Sequence, residues 1–338
     1  MRHLLRFLLS IILVVVILVV GGCKKESPKN LMVYTYSSFS VKLTDNIKNH
    51  FKTKYNLAVD FKSFSDTGPL FNQLLQEKNN PVADVVIGLD SSYFAKALKA
   101  DLFQPYQPAN LSLVNKDLIF DPEYRLIPFD YGYVLFNYDS QKLDSLPKTH
   151  RDLLQPQFKK KIIISNPLTS SPGQVFLLTT IALYGEDGYL DYWRQLKANL
   201  LTIAPGWDEA YGMYTNGEAP IVLSYGTSPA YHLLYENTER YQALILDDAA
   251  YAQIEGAGII KNSANLTNAK LLMDYLLSAE FQTLIPENQF MYPVRSDVTL
   301  PESFRIAAKV DKILNLPLDK VTANLERWLQ EWEQVINE

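Results

Sequence analysis

The chain has 338 residues, of which 47% are apolar, 20% charged and 12% aromatic, a balance that suits a packed globular protein and excludes a disordered or collagen-like one. At roughly 150 residues per domain, this length accommodates about two domains. Acidic residues outnumber basic ones, 37 to 32, and no Lys/Arg-rich run in the body of the chain could follow a phosphate backbone, so no nucleic-acid partner is expected.

In chain order, Arg2 and Arg6 precede the uncharged run FLLSIILVVVILVV (7–20), the layout of a signal peptide. The run is shorter than the ~20 apolar residues a membrane-spanning helix needs. It leads into Val20-Gly21-Gly22-Cys23, which resembles the lipobox of bacterial lipoproteins, where the cysteine is lipidated and becomes the mature N-terminus. Residues 1–22 are thus expected to be removed and residues 23–30 to form a lipidated tether, since KKESPKN is polar and carries a proline. Loss of Arg2 and Arg6 takes the formal charge from −5 to −7. Cys23 is the single cysteine, which excludes an internal disulfide and a cysteine-ligated zinc site. The expected location is outside the cytoplasm, lipid-anchored to the outer face of the cell membrane or in the periplasm.

Beyond the tether, β-rich runs at 31–39, 57–64 and 83–89 alternate with helical patterns near 41–54 and 69–78. A second set of strands is predicted at 130–139, 161–165, 199–205 and 219–225, again separated by helical segments. Such alternation points to βα units and a largely parallel sheet in two α/β lobes. A further strand is predicted at 254–262 and a helix over 267–278. Leu325, Trp328, Leu329 and Trp332 recur at helical spacing, the pattern of a packed face rather than of a ligand site.

Three predicted helix starts share one grammar: Asp66-Thr67-Gly68-Pro69, Ser170-Ser171-Pro172-Gly173 and Thr227-Ser228-Pro229. Each offers a side-chain oxygen at the N-cap and a proline near the first helical position. Helix N-termini at the carboxyl ends of parallel strands also present free N–H donors to a ligand, so the three could line one cleft.

Catalytic motifs are lacking. Beyond the tether there is no cysteine, the three histidines His50, His150 and His232 fit no metal-ligand spacing, and no phosphate-binding glycine loop occurs. No enzyme activity, metal or cofactor is expected. Aromatics instead cluster beside carboxylates and hydroxyls: Tyr34, Tyr36 and Ser38; Asp130 and Tyr131; Trp207, Asp208, Glu209 and Tyr211; Tyr225 to Ser228. Aromatic faces attract cations and stack on flat rings, and a carboxylate supplies the opposite charge. A planar, positively charged small molecule suits that grouping.

Seven stretches carry a more specific signal: Val33-Tyr34-Thr35-Tyr36, ADVVIGLD (83–90), PFDYGY (128–133), TSSPG (169–173), GWDEAYG (206–212), LSYGTSPAYH (223–232) and MYPV (291–294). In this order they resemble the thiamine-binding subunits of bacterial ABC importers, within the type II periplasmic substrate-binding proteins. The resemblance implies an α/β, two-lobed type II periplasmic binding protein fold with crossover strands and a ligand cleft between the lobes. Lobe one would comprise residues 31–129 with 255–291, and lobe two 130–254 with 292–338. A monomer that closes on thiamine or its phosphates and delivers them to permease subunits would follow.

Carried over by motif, the ligand contacts fall on Asp66, Thr67, Ser170, Ser171, Trp207, Tyr225, Gly226, Thr227 and Ser228. Within that set Trp207 and Tyr225 would face the thiamine rings, with ~1–2 kcal/mol of cation–π attraction to a desolvated thiazolium. Asp66, or else Asp130, would offset the positive charge, and the hydroxyls would bind the hydroxyethyl tail or a phosphate. Tyr36 belongs to the first-strand motif. Phe290 stands where the family commonly has tryptophan, Ser37 where it usually has aspartate, and the lobe-one glycine comes one place late, at Gly68. The competing readings are a polyamine or ferric-iron binding protein and, from another class, a thiamine-degrading enzyme, whose cysteine nucleophile the mature chain lacks.

Overall fold

The structure, a computed structural model, describes residues 30–247 and 249–338. Cys23, the leader before it and most of the tether lie outside the described residues. Among the described residues no helix is long and apolar enough to cross a membrane.

The strands are β1 (Leu31–Tyr36), β2 (Val59–Phe64), β3 (Val85–Asp90), β4 (Phe103–Gln104), β5 (Ile127–Asp139), β6 (Ile162–Ser165), β7 (Leu200–Ala204), β8 (Ile221–Tyr225), β9 (Tyr241–Leu244), β10 (Ala249–Ile260), β11 (Tyr292–Pro293) and β12 (Lys312–Leu314). They join in one sheet of order β2-β1-β3-β10-β5-β8-β6-β7. β1 is parallel to β2 and β3, and β6 is parallel to β7 and β8. Between these blocks the two long strands β5 and β10 run antiparallel to each other and to their other neighbours on that path. The expected parallel arrangement therefore holds within each block, and the chain reverses only where it crosses from one to the other. β10 begins five residues before the predicted start: the alanine-rich segment 249–253 carries little intrinsic strand preference and is held as strand by its pairing with β5 and β12.

Each block has its own hydrophobic core. The first gathers Leu31 and Val33 of β1, Val85 and Ile87 of β3, and the inward face of the helix Val41–Tyr55, whose Leu43, Ile47 and Phe51 repeat at four-residue spacing. The second is built on Phe136, Ile162, Ile164, Phe176 and Trp193. The C-terminal helix Leu318–Asn337 closes it with the buried Leu325, Trp328, Leu329 and Trp332, the packed face predicted from their spacing. Trp332 meets Trp193 edge-on at 5.7 Å. Trp193 belongs to Ser171–Leu196, which is two helices joined at Gly185, where φ is +71°.

Candidate functional site

A cavity of about 490 Å³ lies between the two blocks, at the carboxyl ends of the strands where open α/β sheets bind ligands. Tyr36 enters it from the end of β1, Asp66 and Thr67 from the turn after β2, Trp207 from the turn after β7, and Tyr225 from the end of β8.

Three helix starts were expected here, and all three helices form: Thr67–Gln76, Ser171–Leu196 and Pro229–Glu236. Only Asp66 caps with its side chain, accepting from the Thr67 N–H at 2.6 Å. Ser170 and Ser228 occupy N-cap positions without a side-chain bond to the helix that follows. The Ser228 hydroxyl lies 2.9 Å from that of Ser224, which also accepts from Trp207 Nε1 at 2.9 Å. A fourth helix start, Trp207–Thr215, completes the ring. Its N-cap, Gly206, has no side-chain oxygen to announce it; a Cβ there would come within 3.1 Å of Asp66 Oδ2. The missing side chain leaves room for Asp66, whose Oδ1 caps Thr67, to reach across with Oδ2, which accepts from the Trp207 N–H at 3.0 Å. Asp66 thus ties together two helix N-termini from opposite blocks.

Other bonds cross the same gap. The Gly68 N–H donates to Thr169 O at 3.1 Å, and a Cβ on Gly68 would collide with that carbonyl at 2.6 Å, so the late glycine sits where the blocks touch. Ser171 hydrogen-bonds Asp90, and Gln174 Nε2 donates to Ser92 at 3.0 Å. Ser37 lies 2.5 Å from Asp208 Oδ2, so a carboxylate from the opposite block stands beside the position where the family usually has its own.

The aromatic wall is continuous. Trp207 stacks on Tyr211 with ring centroids 4.9 Å apart and planes at 17°, and Tyr225 lies 6.1 Å away, tilted. Phe290, in the left-handed region at φ +55°, meets Tyr231 edge-on at 5.3 Å. His232 is 1% exposed and packs behind Tyr211, whose hydroxyl is 2.9 Å from Nε2, while Nδ1 is 2.8 Å from Glu236.

The floor is acidic. Glu255 of β10 lines the cavity at 4% exposure and accepts from the Tyr36 hydroxyl at 2.5 Å. Burial pushes its carboxyl up to about 8, against the pull of the Tyr36 bond, and nearby Asp90 and Asp66 push the same way. Burial likewise raises Asp66 to about 6, although the Thr67 and Trp207 N–H groups favour its charge. Among the described residues, no ion pair reaches Asp66, Asp90, Asp130 or Glu255. No group of three or more His, Cys, Asp or Glu among them is placed to hold a metal ion.

Of the residues singled out from sequence, Tyr36, Ser38, Asp66, Thr67, Ser171, Trp207, Asp208, Tyr211, Tyr225, Ser228 and Phe290 line the cavity. Ser170, Thr227, Gly226 and Asp130 do not; they are buried immediately behind it. Glu255, Gln253 and Gln289 were not foreseen. Gln289 donates to the Tyr36 hydroxyl at 2.8 Å, and Gln253 to the Tyr225 hydroxyl at 2.8 Å. A signal for Glu255 was present, a lone charge in the otherwise apolar run IEGAGII.

Residues 80–313 match the family model described as bacterial extracellular solute-binding protein. The chain is 35% identical over 333 residues to a thiamine-binding periplasmic protein of Brucella abortus, covering 96% of this chain and 98% of that one. It is 34% identical over 313 residues to the thiamine-binding periplasmic protein of Escherichia coli K12, covering 91% and 93%. Among solved structures, a periplasmic thiamin binding protein superposes with a TM-score of 0.85 at 34% identity, over 92% of this chain and 97% of that one. The architecture described above is accordingly the two-lobed α/β fold of periplasmic binding proteins, with the cavity between the lobes.

Proposed function

We propose, from the premise that the chain belongs to the bacterial extracellular solute-binding protein family, that it captures thiamine in the interlobe cleft and passes it to the permease of an ABC importer. The family consists of solute-binding proteins rather than enzymes. The observation that carries the ligand assignment is the cavity's lining: aromatic rings at Trp207, Tyr211, Tyr225 and Phe290 beside the carboxylates of Asp66, Asp208 and Glu255, with no lysine or arginine among them. A flat cation satisfies both features at once.

In this reading Trp207 and Tyr225 face the ligand rings, and Glu255 offsets the thiazolium charge together with Asp66. Thr67, Ser171 and Ser228 bind the hydroxyethyl tail, or a phosphate on it, with the helix N–H groups behind them. Ser170, Gly226, Thr227 and Asp130 support that lining from behind. Lobe one comprises residues 31–129 and the segment from 255 onward. Because Met291 and Val294 belong to the first core and Arg295 Nη1 donates to Leu277 O at 3.0 Å, we set the return to lobe two just after Arg295, slightly later than residue 291. The protein is exported and tethered through lipid on Cys23 after removal of residues 1–22, which the lipobox-like sequence supports, and it works as a monomer.

Calorimetric titration of residues 24–338 with thiamine, thiamine phosphates, spermidine and Fe³⁺ tests the assignment. Saturable one-to-one binding of thiamine or its phosphates is expected. Saturation by spermidine or Fe³⁺ alone would replace it with one of those ligands.

A further inference from the structure

Beneath the cavity, the register of the two crossover strands sets Asp130 of β5 directly opposite Glu255 of β10. Residues paired in this way project to the same face of the sheet, and like charges so placed repel. Asp130 is fully buried, and neither of its oxygens has a hydrogen-bond partner. Its face is the cavity's face: a Cβ on Gly132, two residues along β5, would meet Met291 at 3.0 Å and Tyr225 at 3.2 Å, and both of those residues line the cavity. Glu255 is therefore the solvent-facing member of a buried carboxyl pair.

The surroundings do nothing to neutralise it. From β1 comes the Tyr36 hydroxyl, from β3 Asp90, from the turn after β2 Asp66, from β8 Tyr225, and from β10 itself Gln253, whose Nε2 is 3.4 Å from Glu255 Oε1. Tyr36 and Gln253 contribute hydrogen bonds to Glu255, Tyr225 accepts from Gln253, and the aspartates add negative charge. Lys96, whose charge is felt at Asp90, is itself pushed down to about 8 by burial and hydrogen-bonds Gln174 on the far side. Two carboxylates cannot both stay ionised in such a place without a cation.

Resting on the thiamine reading, we infer that Asp130 and Glu255 retain a proton between them in the empty cleft and release it to the solvent when the ligand's fixed positive charge arrives. The charge balance is one for one: the proton leaves to buffer and the thiazolium takes its place. Burial raises both carboxyls, Glu255 to about 8 and Asp130 well above its usual range; the Glu255 charge adds to the shift of Asp130, and Asp90 and Asp66 add to that of Glu255. The sign follows. The free protein holds the proton below about pH 8 and the complex does not, so raising the pH from 6 towards 8 strengthens binding, and the gain levels off above. The pair would thereby make the cleft selective for a permanent cation over a neutral ring of the same shape.

The test is calorimetric titration with thiamine at pH 6, 7 and 8 in phosphate and in Tris, whose ionisation heats differ. Release of about one proton at pH 7 is expected, with affinity rising up to about tenfold per pH unit where a full proton is released. Glu255→Gln should lose the release and also weaken binding, whereas Asp130→Asn should keep it, because burial, Asp90 and Asp66 still hold the Glu255 carboxyl up. The comparison on the unaltered protein needs neither variant to fold. Thiamine binding with buffer-independent heat and a flat pH profile overturns the exchange alone, whereas no saturable thiamine binding overturns the ligand assignment and the exchange together.

Discussion

Replacement of Trp207 by alanine is expected to weaken thiamine binding by about 1–3 kcal/mol, a loss of roughly 5- to 150-fold, as for a central aromatic anchor. The indole stacks on Tyr211 and faces Tyr225, so its removal takes out the middle of the aromatic wall and leaves the Ser224 hydroxyl without its donor. The link between Trp207 and Asp66 is made by the backbone N–H and survives the substitution. The fold should therefore persist, with an unchanged urea midpoint, while affinity falls. Trp207→Phe, which retains a ring but not the indole N–H, should fall between the two. An unaltered affinity in the alanine variant would reassign the stacking to Tyr225 or Phe290.

The second large effect is expected at Gly88, on β3. Its φ is +96°, a conformation few side chains adopt, and an added Cβ would lie 2.0 Å from Cε1 of Tyr36. Gly88→Ala should therefore cost roughly 2–4 kcal/mol of stability, the strain of a left-handed non-glycine residue added to overpacking of the ring. It should also weaken binding, because Tyr36 can yield only by leaving Glu255, to which it donates at 2.5 Å. Urea unfolding followed by titration separates the two losses. A variant as stable as the parent and with equal affinity would show that Tyr36 is not held by this packing.

What the sequence revealed and what it concealed follow from range. The strands and the C-terminal helix depend on local periodicity, so Val85–Asp90 or the Trp328–Trp332 face could be read directly. The helix starts at Asp66, Ser171 and Pro229 were equally legible, because proline and small polar residues mark them. The start at Trp207 was not, since its N-cap is a glycine chosen for how closely Asp66 approaches from the other lobe. The same holds for the floor of the cleft. Asp130 and Glu255 are 125 positions apart in sequence, and only the antiparallel register of β5 and β10 brings them face to face. From the sequence the ligand's countercharge falls on Asp66, a residue engaged by two helix N–H groups, or else on Asp130; nothing local points to Glu255, which accepts from Tyr36 and faces the cavity.

The departures from the family pattern resolve in the same terms. Ser37 lacks the usual carboxylate, yet Asp208 brings one to it from the opposite lobe. Phe290 offers a smaller ring than tryptophan but keeps the wall continuous through Tyr231. Neither change empties the cleft of the features that suit a flat cation.

The central claim is that the cleft between the lobes holds thiamine with its charge over the buried carboxyl pair. The structure of the thiamine complex tests it most directly. Ligand rings against Trp207 and Tyr225 are expected, with the thiazolium nearer to Glu255 than to any other carboxylate. Thiamine bound outside this cavity, or turned so that its thiazolium points away from Glu255 toward solvent, would contradict it.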